Sequence, residues 1–483
     1  MNQKFFIGVD CGTQSSKVSI FDKRGNVVAS SVQKLRALNM PKAGVAEHPD
    51  DDVWHAISIA CRRAMDAFPY NPHTIVGLGL CTIRCCLAEL NQRGELVSPM
   101  LSWMDERVAK TYDWSANSKR KKENQVQYVT TSSGYISHRL TGEFKDTSAN
   151  YEGQWPLDKL SWQWSRDASF LNKFCLHPEN LFELVMPGEV LGKVTKTAAN
   201  KTGLPEGLPV IATANDKAVE ALGAGLRADG DLLISLGTYI GGMVQGKHYV
   251  ADAQSYFSNL ACRPNHYLYE SGGVRNGMGT ISWLCNLLGK GIVNEAQQAG
   301  ISIEQMLNQE ARSIAAGSDG LITIPEWLAP YHKPYKRGAL LGLTARHTRA
   351  HIYKSIIEAI ALTMKNHVDA MQAETGINIT SLSISGGGAR SDIFMQVFAD
   401  VFALTTRRNK IVDSAGLGAA MCAAIASNEI DSFDKAIQNM VRPDTRFEHN
   451  ATNTEFYQRL NTRIFKDITL QTDPLFERVH AMH

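Results

Sequence analysis

The segment Ile7-Gly8-Val9-Asp10-Cys11-Gly12-Thr13-Gln14-Ser15-Ser16-Lys17 is an apolar run that ends on an aspartate and turns through a Gly-Thr pair. Residues 4–10 and 17–22 read as strands, because aromatic and β-branched side chains dominate both. Lys23-Arg24-Gly25-Asn26 then turns the chain into a third strand from Val27. Far downstream the pattern returns. Leu232-Leu233-Ile234-Ser235-Leu236 leads into Gly237-Thr238 and a further strand over 239–245. Two strand–Gly-Thr–strand units some 225 residues apart predict a duplicated domain. The expected units are 1–246 and 247–445, divided between 246 and 254, with an extension over 446–483.

Strands and helices alternate between these two landmarks and beyond. A helix is expected over 51–68, opened by Asp51 and Asp52, followed by a strand over 75–81. Ile352, Ile356, Ile360, Met364, Val368 and Met371 fall at helical spacing and predict a long core helix over 349–374, stopped by Gly376. A strand over 381–385 and a buried helix over 392–404 follow. Such interleaving predicts an α/β fold with mixed sheets flanked by helices.

The chain has 483 residues, 44% hydrophobic and 20% charged, which suits two or three packed units and excludes disordered and collagenous classes. Fifty basic against 48 acidic side chains leave a net charge of +2. That balance gives no field to hold nucleic acid or an anionic membrane. There is no apolar run of 18 residues to span a bilayer. Nine cysteines without a CxxC pair read as reduced thiols, and the first ten residues read as a strand rather than a signal peptide. A cytoplasmic enzyme is the expectation.

Three glycine-containing turns, at 10–17, 235–238 and 386–391, each follow a strand. Backbone N–H groups at such turns approach phosphate oxygens closely, because no Cβ stands in the way. Asp10, at a strand end, is placed to hold Mg²⁺, although a plain hairpin accounts for the same residues. No GxxxxGK[ST] or GxGxxG pattern is present, so P-loop and Rossmann sites are not supported. Asp216 follows an apolar strand and precedes a small-residue helix, which allows either a general base or a helix N-cap. Cys81, Cys85 and Cys86 read as buried thiols, and His347 with His351 as surface residues rather than metal ligands. The basic run Lys119-Arg120-Lys121-Lys122, within the stretch 116–127, reads as a solvated face.

Taken in order, these pieces resemble the FGGY family of carbohydrate kinases within the actin-like phosphotransferase superfamily. The likeness runs through Asp10-Cys11-Gly12-Thr13, Glu47 with Trp54, and Ser102-Trp103-Met104-Asp105-Glu106-Arg107. It continues through Leu140-Thr141-Gly142-Glu143 with Asp146, Asp216 before Gly223-Ala224-Gly225, and Ser235-Leu236-Gly237-Thr238. Gly386-Gly387-Gly388-Ala389-Arg390-Ser391, Gln396 with Ala399-Asp400, and Gly418-Ala419-Ala420 complete it. The resemblance implies two actin-like (ribonuclease H-like) domains with the active site in the inter-domain cleft. It implies ATP-dependent phosphorylation of a hydroxyl on a small sugar, polyol or sugar acid, with Asp216 as the base and Asp10 at Mg²⁺. By the same likeness Gly12, Thr13, Gln14, Ser15, Lys17, Gly237 and Thr238 cradle the ATP phosphates. Gly387, Gly388 and Ser391 receive the adenosine. Arg84, Trp103, Asp105 and Asp216 face the acceptor, and Lys217, which is not part of the likeness, is expected there beside Asp216.

The chain departs from relatives in places. The stretch between Asp105 and Leu140 is short. Glycerol kinases carry Gln-Arg-Glu where Ile83-Arg84-Cys85 stands here, and Lys217 replaces a glutamine or small residue. Arg84 and Lys217 together predict an acceptor with a carboxylate or phosphate-like group. A catalytically inactive nucleotide- or sugar-binding regulator of the same fold is the alternative, disfavoured because Asp10, Asp216 and all three turns are kept. Oligomeric state stays open, a homodimer being one option.

Overall fold

Two large sheets carry the chain, and their strands are numbered here in chain order. The first joins β1 (Phe5–Cys11), β2 (Ser15–Asp22), β3 (Val27–Lys34), β4 (Ile75–Thr82), β5 (Val190–Lys193) and β6 (Pro209–Asn215) in the order β5-β6-β4-β1-β2-β3. The second joins β7 (Asp231–Leu236), β8 (Ile240–Gly246), β9 (Tyr256–Leu260), β10 (Tyr267–Ser271), β11 (Ser381–Ser385), β12 (Thr406–Asn409) and β13 (Pro443–Phe447). Its order is β9-β10-β8-β7-β11-β12-β13. In each, an antiparallel hairpin meets a strand that runs parallel to its first member, β1 with β4 and β7 with β11. The computed structural model describes residues 3–112, 126–227, 230–330, 333–410 and 413–482.

The shared strand order shows the duplication that the two Gly-Thr turns predict. The division falls earlier than expected. Both β7 and β8 pair within the second sheet, so the sheets part before Asp231 rather than at 246–254. The extension after 446 packs on the second domain. Tyr457 donates its hydroxyl to Glu358 Oε1 at 2.7 Å, and Asn453 Nδ2 donates to Asp400 Oδ2 at 2.8 Å, which fastens the terminal helices to the second domain. The basic run at 119–122 lies outside the described residues.

Alternation along β1 and β4 explains how the first sheet is covered. Phe5, Ile7 and Val9, with Leu78 and Leu80, join the core beneath α1 (Asp52–Asp66), whose Val53, Trp54, Ile57 and Ala60 are buried. The opposite face presents Gly8, Gly77 and Gly79. On that face lies α5 (Ser414–Ala426), a helix of alanine, glycine and few larger residues. A Cβ on Gly8 would stand 1.8 Å from the Gly416 carbonyl oxygen, and one on Gly79 1.9 Å from that of Ala419. Gly8 and Gly79 are register partners, so together they form a floor on which helix backbone rests directly. The same closeness joins α5 to α2 (Asp216–Gly223), where a Cβ on Gly223 would meet the Ser414 carbonyl oxygen at 1.8 Å.

The long helix α3 (Arg349–Thr375) buries Ile356, Ile360, Met364, Val368 and Met371 at the expected spacing. His351 is not a surface residue. It is buried and completes a capping box with Thr348 at the start of α3. Helix α4 (Asp392–Phe402) is buried on most faces, as expected.

Replacing Gly79 by alanine should lower stability by roughly 1–3 kcal/mol, the usual cost of forcing atoms into a filled core. Gly291→Ala, where a Cβ meets nothing within 4 Å, is the control and should leave Tm unchanged or raise it. Equal melting temperatures for the two variants would remove the close-packing account.

Candidate active site

A cleft of about 820 Å³ opens between the sheets. Thr13, from the β1–β2 turn, and Thr238, from the β7–β8 turn, both line it. So do Ile83, Arg84 and Cys85 beyond β4, Trp103, and Asp216 with Lys217 at the start of α2. Gly237 and Thr238 are braced from behind, since Met278 N donates to the Gly237 carbonyl at 3.2 Å and Gly277 N to that of Thr238 at 2.9 Å. The Gly386–Ser391 turn sits against the end of β7. Gly386 adopts φ of +82° there, and a Cβ would fall 2.6 Å from the Leu236 carbonyl oxygen, so only glycine serves. That turn borders two further cavities of about 240 Å³ each, one lined by Gly386 and Ala389 and the other by Asn308 and Asp392. Ser391 Oγ donates to Asn308 Oδ1 at 2.6 Å.

The two readings of Asp216 separate here. Asn215 is the N-cap of α2, its side chain accepting from Ala218 N at 3.0 Å. Asp216 is therefore free of that duty, and its Oδ1 is buried with no hydrogen-bond partner among the described residues. Burial raises its pKa above the ordinary aspartate value, opposed by the positive charges of Arg84 and Lys217. Asp10, half-buried at the end of β1, is pushed up to about 7 by burial first and then by the carboxylates of Asp413, Asp216 and Glu220.

Most other charges in the cleft already have partners. Arg84 donates Nη1 to Glu270 Oε2 at 2.7 Å and Nη2 to Oε1 at 2.9 Å. Asn259 Nδ2 adds a donor to the same carboxylate at 3.0 Å. Burial would raise the pKa of Glu270, but Arg84 overrides it and holds the group below the usual carboxylate range. Lys217 pairs with Glu220 at 3.0 Å, and Lys159 with Glu152 at 3.1 Å. Arg84 and Lys217, expected to favour an anionic acceptor, each already face a carboxylate of the chain, so neither is an unanswered charge. Arg275 is the cleft-lining cation without an ion pair among the described residues, and its Nη1 donates to the Ala329 carbonyl at 2.5 Å.

Three further expectations change. Asp105 does not reach the cleft. It is 1% exposed, accepts Arg107 Nε at 2.8 Å and Nη2 at 2.7 Å, and takes Ala46 N at 2.8 Å. Its partner Trp103 does reach the cleft, donating Nε1 to Thr13 Oγ1 at 3.1 Å. Lys17 does not line the cleft; its ammonium meets Asp413 Oδ2 at 3.1 Å, at the N-cap of α5. Cys85 lines the cleft rather than the core, with φ of +59°, whereas Cys81 and Cys86 are buried as expected. Gln14 is exposed, and Gly12 N donates to the Ser15 carbonyl at 3.0 Å.

Sequence reasoning missed Glu152, Glu220, Glu270 and Arg275. A signal was present for two of them: Glu220 interrupts a helix of small apolar residues, and Glu270 sits in a strand buried along its whole length. A carboxylate in such places needs a partner.

Two sheets of like topology, each offering a glycine turn to one carboxylate-bearing cleft, define a two-domain phosphotransferase. The chain belongs to the FGGY family of carbohydrate kinases, whose N-terminal domain matches residues 5–113 and 109–223 and whose C-terminal domain matches 232–427. It is 44% identical to the uncharacterized sugar kinase YgcE of Escherichia coli strain K12, over all of this chain and 97% of that protein. The xylulose kinase structure from Rhodospirillum rubrum superposes with a TM-score of 0.81 at 25% identity, covering 98% of this chain and 100% of that one. The gluconate kinase structure from Lactobacillus acidophilus gives 0.83 at 21%, covering 99% and 100%, a likeness of fold. Among the described residues no helix is long and apolar enough to cross a membrane.

Asp105→Ala should lower Tm by loosening Arg107 and Ala46 while leaving the acceptor KM within about twofold. A large rise in that KM at unchanged Tm would return Asp105 to the pocket.

Proposed function

We propose that this kinase transfers the γ-phosphoryl group of ATP to a hydroxyl of a small sugar, polyol or sugar acid, with Asp216 accepting the hydroxyl proton. The carrying observation is the unpartnered, buried Oδ1 of Asp216 in a cleft lined by the turn residues Thr13 and Thr238. Phosphoryl transfer passes through a loose transition state, so the chain's task is to position reactants and answer charge. Backbone N–H groups at 13–15 and 237–238 serve the phosphates, and the 386–391 turn with its flanking cavities receives the nucleoside. Arg84, Glu270, Asn259 and Trp103 offer donors and acceptors to acceptor hydroxyls. The activities named for the similar proteins, on xylulose and gluconate, concern polyhydroxylated acceptors of this size. A sugar acid would meet Arg275, whose charge no carboxylate of the described residues answers.

Magnesium fits the donor set. It takes one or two carboxylates alongside phosphate oxygens, so Asp10 suffices and Asp216 is left to the proton. No group of three or more His, Cys, Asp or Glu able to hold a metal occurs among the described residues, and none is needed. When bound, the ion neutralises charge on the phosphate oxygens. The chain's residues do the rest: the two turns orient ATP, Trp103 spans from Thr13 to the acceptor side, and Asp216 holds the proton.

Coupled-assay screening over pentoses, hexoses, their alcohols and their acids should give steady ADP release with at least one acceptor. ATP binding without release for any acceptor would instead mark a binding protein. Asp216→Asn should keep ATP affinity by calorimetry and lose about 10²–10⁴-fold in kcat, the range general-base removal spans; near-normal turnover would refute the assignment. Ionised Asp216 is the active form, and burial raises its pKa, so its ionised fraction falls at a higher pH than an exposed aspartate's. The acid limb of kcat/KM should accordingly have its midpoint above about 4. A profile flat down to that pH would contradict the assignment.

A further inference from the structure

Lys217 lies one residue from the base, and its ammonium reaches the second sheet at Ser235 as well as Glu220 on its own helix. Its Nζ donates to Ser235 Oγ at 2.8 Å and to Glu220 Oε2 at 3.0 Å. Ser235 stands two residues before Gly237, near the end of the strand that delivers the β7–β8 turn. Its own hydroxyl donates to Glu220 Oε1 at 2.8 Å. Ser385, the last residue of β11 and the one before the Gly386 turn, donates Oγ to the same Glu220 oxygen at 2.6 Å. One carboxylate, a single helical turn beyond Asp216, thus ties the base helix to the strands that carry both second-domain turns.

An ammonium has three donors. Glu220 and Ser235 occupy two, and Lys217 lines the cleft, so the third is available to a ligand there. Burial would strip the charge, but the carboxylates of Glu220 and Asp216 raise the lysine pKa above its ordinary value and keep it protonated. Asp216 accordingly lies between two cations, Arg84 on the side of Glu270 and Lys217 on the side of the β7–β8 turn.

We propose that Lys217 is a catalytic residue on the donor side, binding an oxygen of the transferring γ-phosphoryl group, and that Glu220 is the positioning residue that aims it by clamping Ser235 and Ser385. In the step, the acceptor oxygen forms its bond to phosphorus as the bond from phosphorus to the β–γ bridging oxygen breaks. ADP leaves with that electron pair, and the acceptor proton passes to Asp216. Lys217 donates to the phosphoryl group throughout and gives up no proton. A serine or amide could hold ATP in its place, but neither brings a full positive charge to an oxygen whose neighbours are being rearranged. This assignment rests on the kinase reading above and moves Lys217 from the acceptor, where the sequence reading puts it, to the phosphate.

The test uses K217Q, E220Q and the double variant K217Q/E220Q in the full chain, with the fastest acceptor from the screen. K217Q should lose about 10²–10³-fold in kcat, the effect of deleting one preorganised donor. Its acceptor KM should stay within threefold and its Kd for ADP, which has no γ-phosphate, should not change. Because each single variant leaves a buried charge unpaired, both should also melt lower. The double variant removes both charges and should recover the wild-type Tm while kcat stays low. Recovery of kcat with Tm would show that Lys217 only neutralises Glu220, and would overturn the proposal. A raised acceptor KM with kcat kept in K217Q would place the lysine at the acceptor and also overturn it. Wild-type protein that releases no ADP with any acceptor would overturn the kinase reading itself, and this assignment with it.

Discussion

Helix α5 lies backbone to backbone on the first sheet, and the rest of the molecule is arranged around that contact. Glycine at 8 and 79 makes it possible, since a Cβ at either position would overlap a helix carbonyl. Gly223 lets α2 approach the same helix, and a Cβ on Gly418 would stand 2.1 Å from the Val219 carbonyl oxygen. Asp413 caps α5 through Gly416 N at 3.2 Å and reaches back to Ser19 Oγ at 2.7 Å and to Lys17. A helix supplied by the second half of the chain is thereby fixed to the hairpin that opens the first. The position of α2, and so of Asp216, follows from both contacts.

Charge in the cleft obeys a second constraint. Isolated ions are costly to bury, so a polar cleft of this kind is stable only when cations and carboxylates come in pairs. Arg84 with Glu270, Lys217 with Glu220 and Lys159 with Glu152 satisfy that requirement within the chain. Asp216 is left with an oxygen that no described residue satisfies, and Asp10 is crowded by like charges. Those are the conditions in which a proton, a cation or a substrate hydroxyl is drawn in. Most of the charges here are thus answered within the chain, and these two carboxylates are the exceptions.

Much of the fold was legible in one dimension. The strand–Gly-Thr–strand units, the long helix with apolar residues from Ile352 to Met371, and the Gly386–Ser391 turn all occupy the places their patterns predict. These are local signals: periodicity, turn chemistry and the residue at a strand end. Boundaries read less well. The second hairpin looked like the close of the first domain because nothing in its own residues says which sheet its edges join. Asp105 and Lys17 carry the family's pattern, and only packing reveals that the first secures Arg107 and the second Asp413.

The sequence by itself determined the architecture, the three turns and the place of Asp216 between a strand and a helix, because each depends on residues that are neighbours along the chain. Tertiary structure alone decided how the distant polar groups pair. Glu270 lies 186 residues from Arg84, and Ser385 lies 165 from Glu220, so no local pattern could pair them. It also decided that Asn215, not Asp216, caps the helix. Pairing energies depend on distance in space, and burial raises the cost of every charge left without a partner; both quantities come into being only when the two domains close on each other.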